Sequence, residues 1–307
     1  MSTTLLRTRG LTKKYGQFYA LHDVDIAVNK GEIYGLVGKN GAGKTTLLRM
    51  ISGQTIQSDG EVELFGETTA RGLERARRRT GAMIETPSFY PYLTAAQNLE
   101  YYRIQRGVAG RKVVEDILAQ VELDKVGRKK FKDFSLGMKQ RLGLALAMMD
   151  NPDLLILDEP VNGLDPTGIV EFRNLLLRLS HERGITILIS SHILSELANM
   201  ATSFGFLDHG ALLQQITAEE LQKKCRQYVE LVVSDGERTA AILERQLHCE
   251  EYEVLPGGVI HLYQYLDEPA KVASAVVPEG IQLYSMEVKG SNLEDYFLKL
   301  IGGGDRA

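Results

Sequence analysis

The sequence has no apolar run long enough to cross a bilayer. Its most apolar stretches, Leu142–Met149 and Leu154–Leu157, fall far short of the ~20 residues a membrane helix needs. Met1–Gly10 lacks the apolar centre of a secretion signal, so any task at a membrane is expected to need a partner. Cysteine is scarce: Cys225 and Cys249 are too far apart to suggest a metal site, and a reduced, cytosolic protein is the expectation. Basic charge is not in excess. With 36 Lys and Arg against 40 Asp and Glu, the net charge of −4 gives no general reason to expect nucleic-acid binding. Repeats, long linkers and sustained heptads are also missing, which argues against a coiled-coil insertion.

What remains is ordinary globular chemistry, 44% apolar and 25% charged, so a packed core is expected rather than disorder. The 307 residues suffice for one large α/β core and a small second domain. β-Rich pieces at Leu5–Leu11, Asp23–Val28 and Gly60–Phe65 lead into strand–helix alternation, which predicts a largely parallel sheet. Glu32–Val37 reads as a strand and Lys44–Ser52 as a helix stopped by Gly53. Thr94-Ala-Ala-Gln97 is a capping box, and Asp208-His209-Gly210 reads as a hairpin turn. A second box, Thr217-Ala-Glu-Glu220, opens the bridge to a C-terminal unit. There the order is strand 228–233, helix 237–247, strands 252–255 and 259–263, helix 269–276 and strand 281–288. That βαββαβ order predicts a ferredoxin-like module. A closing helix is expected from Ser291, with Glu294 completing its capping box, and then a loose tail from Gly302.

Gly38-Lys-Asn-Gly-Ala-Gly-Lys44-Thr45-Thr46 matches the phosphate-loop pattern in full, after a strand and before a helix. Glycines let successive backbone N–H groups converge on phosphate oxygens, and the helix start adds the positive end of its dipole. Gly38, Asn40, Gly41, Gly43, Lys44, Thr45 and Thr46 are therefore candidate nucleotide contacts. Lys44 would neutralise the β- and γ-phosphates and the Thr45 hydroxyl would coordinate Mg²⁺.

Leu154-Leu155-Ile156-Leu157 reads as a buried parallel strand that ends in Asp158-Glu159. A phosphate-loop enzyme needs a carboxylate at such a strand end to hold Mg²⁺, which suits Asp158. Glu159 is then placed to polarise the attacking water as general base.

Between these motifs, Phe134-Ser135-Leu136-Gly137-Met138-Lys139-Gln140-Arg141 resembles the signature sequence of ABC ATPases. Gly163-Leu164-Asp165-Pro166 resembles the family's D-loop. Thr186–Ile189 followed by Ser190-Ser191-His192 resembles its switch-histidine loop. Tyr15 in Lys13-Lys14-Tyr15-Gly16 sits where the family stacks an aromatic ring on adenine. The resemblance covers about two thirds of the chain. It implies an α/β fold, a phosphate-loop NTPase of the ABC type with a mixed sheet and a helical subdomain, over residues 1–216. A small α+β module follows at 217–307. It further implies that Ser135 and Gly137 face the γ-phosphate held by a second subunit, that Asp165 joins the nucleotide-binding set, and that His192 positions Glu159. The chain carries one copy of each motif, so a second ATPase subunit is required, a homodimer being favoured over a heterodimer.

Two positions depart from the family pattern. Leu136 replaces the first of two adjacent signature glycines, which narrows backbone freedom. Glu85, in Gly81-Ala-Met-Ile-Glu85, stands where most of the family has glutamine. An ionised glutamate only accepts hydrogen bonds and repels a nearby phosphate by about 1–4 kcal/mol per unit-charge pair at 4 Å, which Mg²⁺ would offset. Two readings stand: Glu85 is a catalytic and Mg²⁺-contacting residue, or a solvated loop acid. The same exchange, the Ser135–Arg141 phrase and Asn292–Leu298 resemble the ATPases of bacitracin-resistance and lantibiotic self-protection exporters.

The implied function is an ATP-hydrolysing subunit that drives export of peptide antibiotics or related hydrophobic compounds. Its partner would be a membrane permease of ABC-2-like type, which would hold the chain on the inner face of the cell membrane. Residues 86–93 lie where such proteins receive a permease helix, although their aromatics read equally as core of the helical subdomain. The arginines at 71, 75, 77, 78 and 79 read as a solvated face. The alternative, an ABC ATPase acting on ribosomes or DNA, calls for two fused ATPase halves or a long coiled coil, and the sequence has neither.

Overall fold

The computed structural model describes residues 3–85, 88–110, 112–290 and 293–302. The chain divides into two compact units, Met1–Ala218 and Glu219–Ala307. The first begins with β1 (Thr4–Tyr15), β2 (Phe18–Val24), β3 (Ala27–Asn29), β4 (Ile33–Val37), α1 (Lys44–Ser52) and β5 (Asp59–Leu64). It continues through α2 (Ala70–Arg77), β6 (Thr80–Met83), α3 (Ala95–Arg106), α4 (Lys112–Gln120), α5 (Leu136–Ala147) and β7 (Leu154–Asp158). It closes with α6 (Pro166–Arg183), β8 (Thr186–Ser191), α7 (Leu194–Ala198), β9 (Ser203–Asp208) and β10 (Ala211–Thr217).

The six-stranded sheet runs β10-β9-β4-β8-β7-β6. Every pair is parallel except β9 with β10, joined by the Asp208-His209-Gly210 turn. His209 and Gly210 both take left-handed backbone angles, φ 44° and 80°, which match the twist of a tight hairpin. All residues of β4 and β8 are buried, as are Leu154 to Leu157 of β7. The near-continuous apolar runs in the sequence are those of a sheet covered on both faces. β4, β7 and β8 end side by side, with Val37 opposite Ser191 and Asp158 opposite Ser190. Ligands of open α/β sheets bind at such carboxyl ends.

A second, antiparallel sheet has β1 at its centre, paired with β2, β3 and β5. The single strand expected at Asp23–Val28 is in fact split, with β2 ending at Val24 and β3 starting at Ala27. Asp23 is left-handed (φ 52°), and the buried Thr8 hydroxyl of β1 takes over the pairing at the break. It donates to Val24 O (2.8 Å) and accepts from Ile26 N (2.9 Å). A local apolar pattern carries no sign of such a long-range splice.

Helices α3, α4 and α5 pack on one another as the helical subdomain. The Thr94 capping box is complete: its hydroxyl accepts from Gln97 N (3.2 Å) and its N–H donates to Gln97 Oε1 (2.9 Å). Buried Asn98 ties the preceding aromatic stretch to α3, accepting from Tyr90 N (2.8 Å) and donating to Tyr90 O (3.2 Å). Glu122 bonds both Arg141 of α5 and Arg178 of α6.

In the second unit α8 (Ala218–Lys224) leads to β11 (Tyr228–Val233), α9 (Gly236–Leu247), β12 (Tyr252–Leu255), β13 (Val259–Leu262), α10 (Pro269–Val276), β14 (Leu283–Lys289) and α11 (Leu293–Gly302). The antiparallel sheet runs β12-β13-β11-β14, the βαββαβ arrangement of ferredoxin-like modules. Val229, Leu231 and Val233 alternate inward against Leu243 of α9 and Val272 of α10, as a half-buried strand requires. The capping box expected at Ser291 and Glu294 lies outside the described residues, as do residues 303–307. Among the described residues no helix is long and apolar enough to cross a membrane.

Candidate nucleotide site

The phosphate loop joins β4 to α1, and its backbone needs glycine at defined points. Gly43 has φ 107°, and a Cβ there would lie 2.6 Å from Ala20 O. At Gly38 a Cβ would meet Leu207 O at 2.5 Å. The loop therefore lies directly on the β2 and β9 backbones, which fixes its curl against the sheet.

Lys44 is only 5% exposed, and its ammonium is fully engaged. Nζ donates to Gly38 O (2.6 Å) and Lys39 O (3.2 Å) and lies 3.1 Å from Glu159 Oε1. A buried ammonium is tolerated only when paired in this way. Glu159 follows the end of β7 with a left-handed φ of 44°, and its other oxygen, Oε2, is hydrogen-bonded to His192 Nδ1 at 2.9 Å. Asn162 reaches the same oxygen at 3.4 Å. Lys44, Glu159 and His192 thus form one connected chain across three strand ends.

A second chain runs beside it. Thr45 Oγ1 donates to Asp158 Oδ2 at 2.7 Å, and Ser190 Oγ donates to Asp158 Oδ1 at 2.6 Å. Ser190 also accepts from Glu159 N at 3.0 Å, so one buried hydroxyl orients both acids. Sequence reasoning placed Ser190 only within a motif. Its signal was a hydroxyl side chain closing an otherwise apolar buried strand.

The pocket between these groups has a volume of ≈ 220 Å³ and is lined by Phe18, Ala20, Asn40, Gly41, Gly43, Lys44, Thr45, Thr46 and Glu159. Tyr15 is absent from its lining, while Phe18, its antiparallel partner in the β1–β2 hairpin, is present. Phe18 is 66% exposed, an aromatic ring standing free at the mouth. Lys13 Nζ sits 4.9 Å from the Tyr15 ring centre. Phe18 was missed because the resemblance pointed at Tyr15, although the Tyr15-Gly-Gln-Phe18 spacing of a two-residue hairpin already set the two aromatics opposite each other.

Other candidates lie outside the lining of this pocket. Glu85 is left-handed (φ 63°) and its carboxylate is paired with Arg49 of α1. Ser135 caps α5, its hydroxyl accepting from Met138 N at 3.3 Å, and Gly137 follows in the first turn. Asp165 caps α6, accepting from Gly168 N at 3.2 Å, with Pro166 at the first helical position. Gly163 (φ 78°) faces Leu136, whose Cδ2 would lie 3.1 Å from an added Cβ, so the D-loop turn and the signature helix touch within one chain.

Among the described residues no cluster of three or more His, Cys, Asp or Glu side chains is placed to hold a metal ion. The Thr45 hydroxyl and the Asp158 carboxylate form a two-donor set. That is too few for a resident metal, but it suits an octahedral ion that arrives with phosphates and keeps several waters.

Comparison with known proteins extends this geometry. The family described as "ABC transporter" matches residues 21–162. The bacitracin transport ATP-binding protein BcrA of Enterococcus faecalis is 44% identical over 98% of this chain and 97% of its own length. BcrA of Bacillus licheniformis is 41% identical over 98% and 99%. The lantibiotic transport ATP-binding protein SrtF of Streptococcus pyogenes is 39% identical over 68% of this chain and 89% of its own. Among solved structures, the ADP conformation of the ATP-binding cassette MJ1267 superposes with a TM-score of 0.67, at 27% identity over 73% of this chain and 95% of its own. The dimeric post-hydrolysis cassette MJ0796, bound to ADP and phosphate, gives 0.62 at 25% identity over 70% and 99%.

Proposed function

This chain belongs to the ABC transporter ATP-binding family and is an ATPase, and from that premise we propose that it powers export of a peptide antibiotic through a separate membrane permease. The observation that carries the enzymatic part is the pair of linked chains, Thr45–Asp158–Ser190 and Lys44–Glu159–His192, converging on one pocket. The N–H groups of Asn40 to Thr46 receive the triphosphate, and Lys44 exchanges Glu159 and its loop carbonyls for phosphate oxygens. Thr45 and Asp158 would hold Mg²⁺, which would supply charge neutralisation to the phosphates. Glu159, freed from Lys44, orients the attacking water and accepts its proton. His192 on Oε2 keeps that carboxylate aimed.

Ser135 and Gly137 sit at the N-terminus of α5, away from the pocket lining of their own chain. Each site is completed by the α5 tip and Asp165 turn of a second copy, a homodimer with ATP held between the copies. The permease, of ABC-2-like type, receives the exposed aromatic surface Tyr90, Tyr92 and Tyr101 with Ile104. These residues stand 43–73% exposed along α3 and the segment before it. Docked there, the chain lies on the cytoplasmic face of the membrane. Bacitracin-type and lantibiotic peptides are the proposed cargo, in keeping with the relatives' names. No observation favours a ribosome- or DNA-acting ATPase.

The test is to solubilise cells in detergent, recover the chain with its co-purifying membrane protein, and measure ATP turnover in vesicles with each peptide class. Stimulation by one class, abolished by Lys44→Ala, is the expected outcome. A chain that binds no adenine nucleotide, alone or with that partner, overturns the reading.

A further inference from the structure

The pairing of Glu85 with Arg49 has no counterpart in the roles assigned above, and it bears on how this chain tolerates an acid beside a triphosphate. Arg49 lies four residues after Thr45 on α1. Side chains four apart share one helix face, displaced by about 6 Å along the axis. Thr45 uses that face to hold Asp158 at the end of β7. β6 is the parallel neighbour of β7, with Met83 opposite Leu157, so Glu85 emerges two residues beyond β6 beside the same strand ends. One turn below Thr45, the Arg49 guanidinium meets its carboxylate. Glu85 takes a left-handed backbone (φ 63°), which turns the chain just past β6.

We propose that Arg49 is a positioning residue of the nucleotide site: it holds and neutralises Glu85 one helical turn from Thr45, so that the triphosphate can bind beside this acid. The inference rests on the functional reading above. Lys44 and Arg49 face Asp158, Glu159 and Glu85, which leaves the site one negative charge before nucleotide arrives. Without Arg49 the excess is two, and the added charge acts on the phosphates through a wet, partly exposed path. Arg49 and Glu85 are 37% and 69% exposed, so the effect is moderate and salt-dependent.

A double-mutant cycle on ATP affinity tests this, by titration calorimetry on the full-length chain, first with EDTA and then with Mg²⁺. Arg49→Met is expected to weaken ATP binding roughly five- to tenfold at low salt, with a smaller loss at high salt or with Mg²⁺. Glu85→Gln alone should bind ATP at least as tightly as the parent, and the double variant, which has the parent's net charge at the site, should return to the parental affinity. Arg49→Lys retains the charge and should retain affinity. Thermal melts accompany each variant, and Arg49→Gln replaces Arg49→Met should the latter unfold. Parental affinity in Arg49→Met overturns the inference. So does a loss that persists in the double variant, because Arg49 would then touch phosphate itself or support only the fold. A parent chain with no ATP affinity would instead remove the underlying functional reading.

Discussion

Ser190 holds both acids of the site at once: its hydroxyl donates to Asp158 Oδ1 at 2.6 Å and accepts from Glu159 N at 3.0 Å. Asp158 is thereby held on two sides, by Ser190 and by Thr45, before any metal arrives. Glu159 has its backbone pinned at a left-handed φ that would otherwise leave its side chain free to turn away.

Ser190→Ala should therefore lower turnover by about ten- to a hundredfold through loss of aim at both carboxylates. ATP affinity should change by less than about threefold, since no phosphate contact is removed. Leaving the part-buried Asp158 carboxylate short of a partner should also cost about 1 kcal/mol of stability. Turnover equal to the parent, measured at saturating ATP, would show that the hydroxyl has no part in positioning.

The extent to which this site was legible in the sequence follows from the range of each interaction. That Lys44, Thr45, Asp158 and Glu159 come together was readable because the phosphate-loop pattern and the strand ending in two acids each sit at a strand end. The βαββαβ order of the second unit was readable because its two central strands, β11 and β13, alternate with period two and short helical stretches separate the strands. The splice at Thr8 was not, since one hydroxyl bridging Val24 and Ile26 leaves no trace in local periodicity. The Arg49–Glu85 pair was hidden for a related reason: its two residues are 36 apart in sequence. Phe18 was overlooked because the resemblance favoured Tyr15, yet hairpin register alone sets the two rings opposite each other.

Glu159→Gln tests the general base. The amide keeps shape and a hydrogen bond to His192 but cannot take a proton at neutral pH. ATP hydrolysis should fall by about 10²- to 10⁴-fold, and the chain should accumulate as an ATP-bound dimer on size exclusion. A variant that stays monomeric with Mg²⁺ and ATP counts against closure of two copies on the nucleotide.

Phe18 and Tyr15 make opposite claims on the base. Phe18 lines the pocket, whereas Tyr15 is across the hairpin beneath Lys13. Phe18→Ala should weaken ATP binding by about 5- to 150-fold, in line with about 1–3 kcal/mol for stacking a base on an aromatic ring. Tyr15→Ala should cost less. A larger loss for Tyr15→Ala, in side-by-side titrations, would return the stacking role to the position the family resemblance implies.

Glu122 offers a test of how the signature helix is braced. Its carboxylate bonds Arg141 of α5 and Arg178 of α6, and these hydrogen bonds hold its pKa below the usual carboxylate range. A pKa lower in the folded chain than in the unfolded one means the pairing stabilises only while the group is ionised. That stability is fully present above the unfolded value and is lost as pH falls through the folded one. Glu122→Gln should therefore lower Tm at neutral pH, by about 2 °C because the side chain is half exposed and solvent screens the pair. Between parent and variant the gap should close on acidification below the ordinary carboxylate range. A Tm difference that stays constant to acid pH, followed by circular dichroism, would place the stabilisation in packing and not in the charged contact.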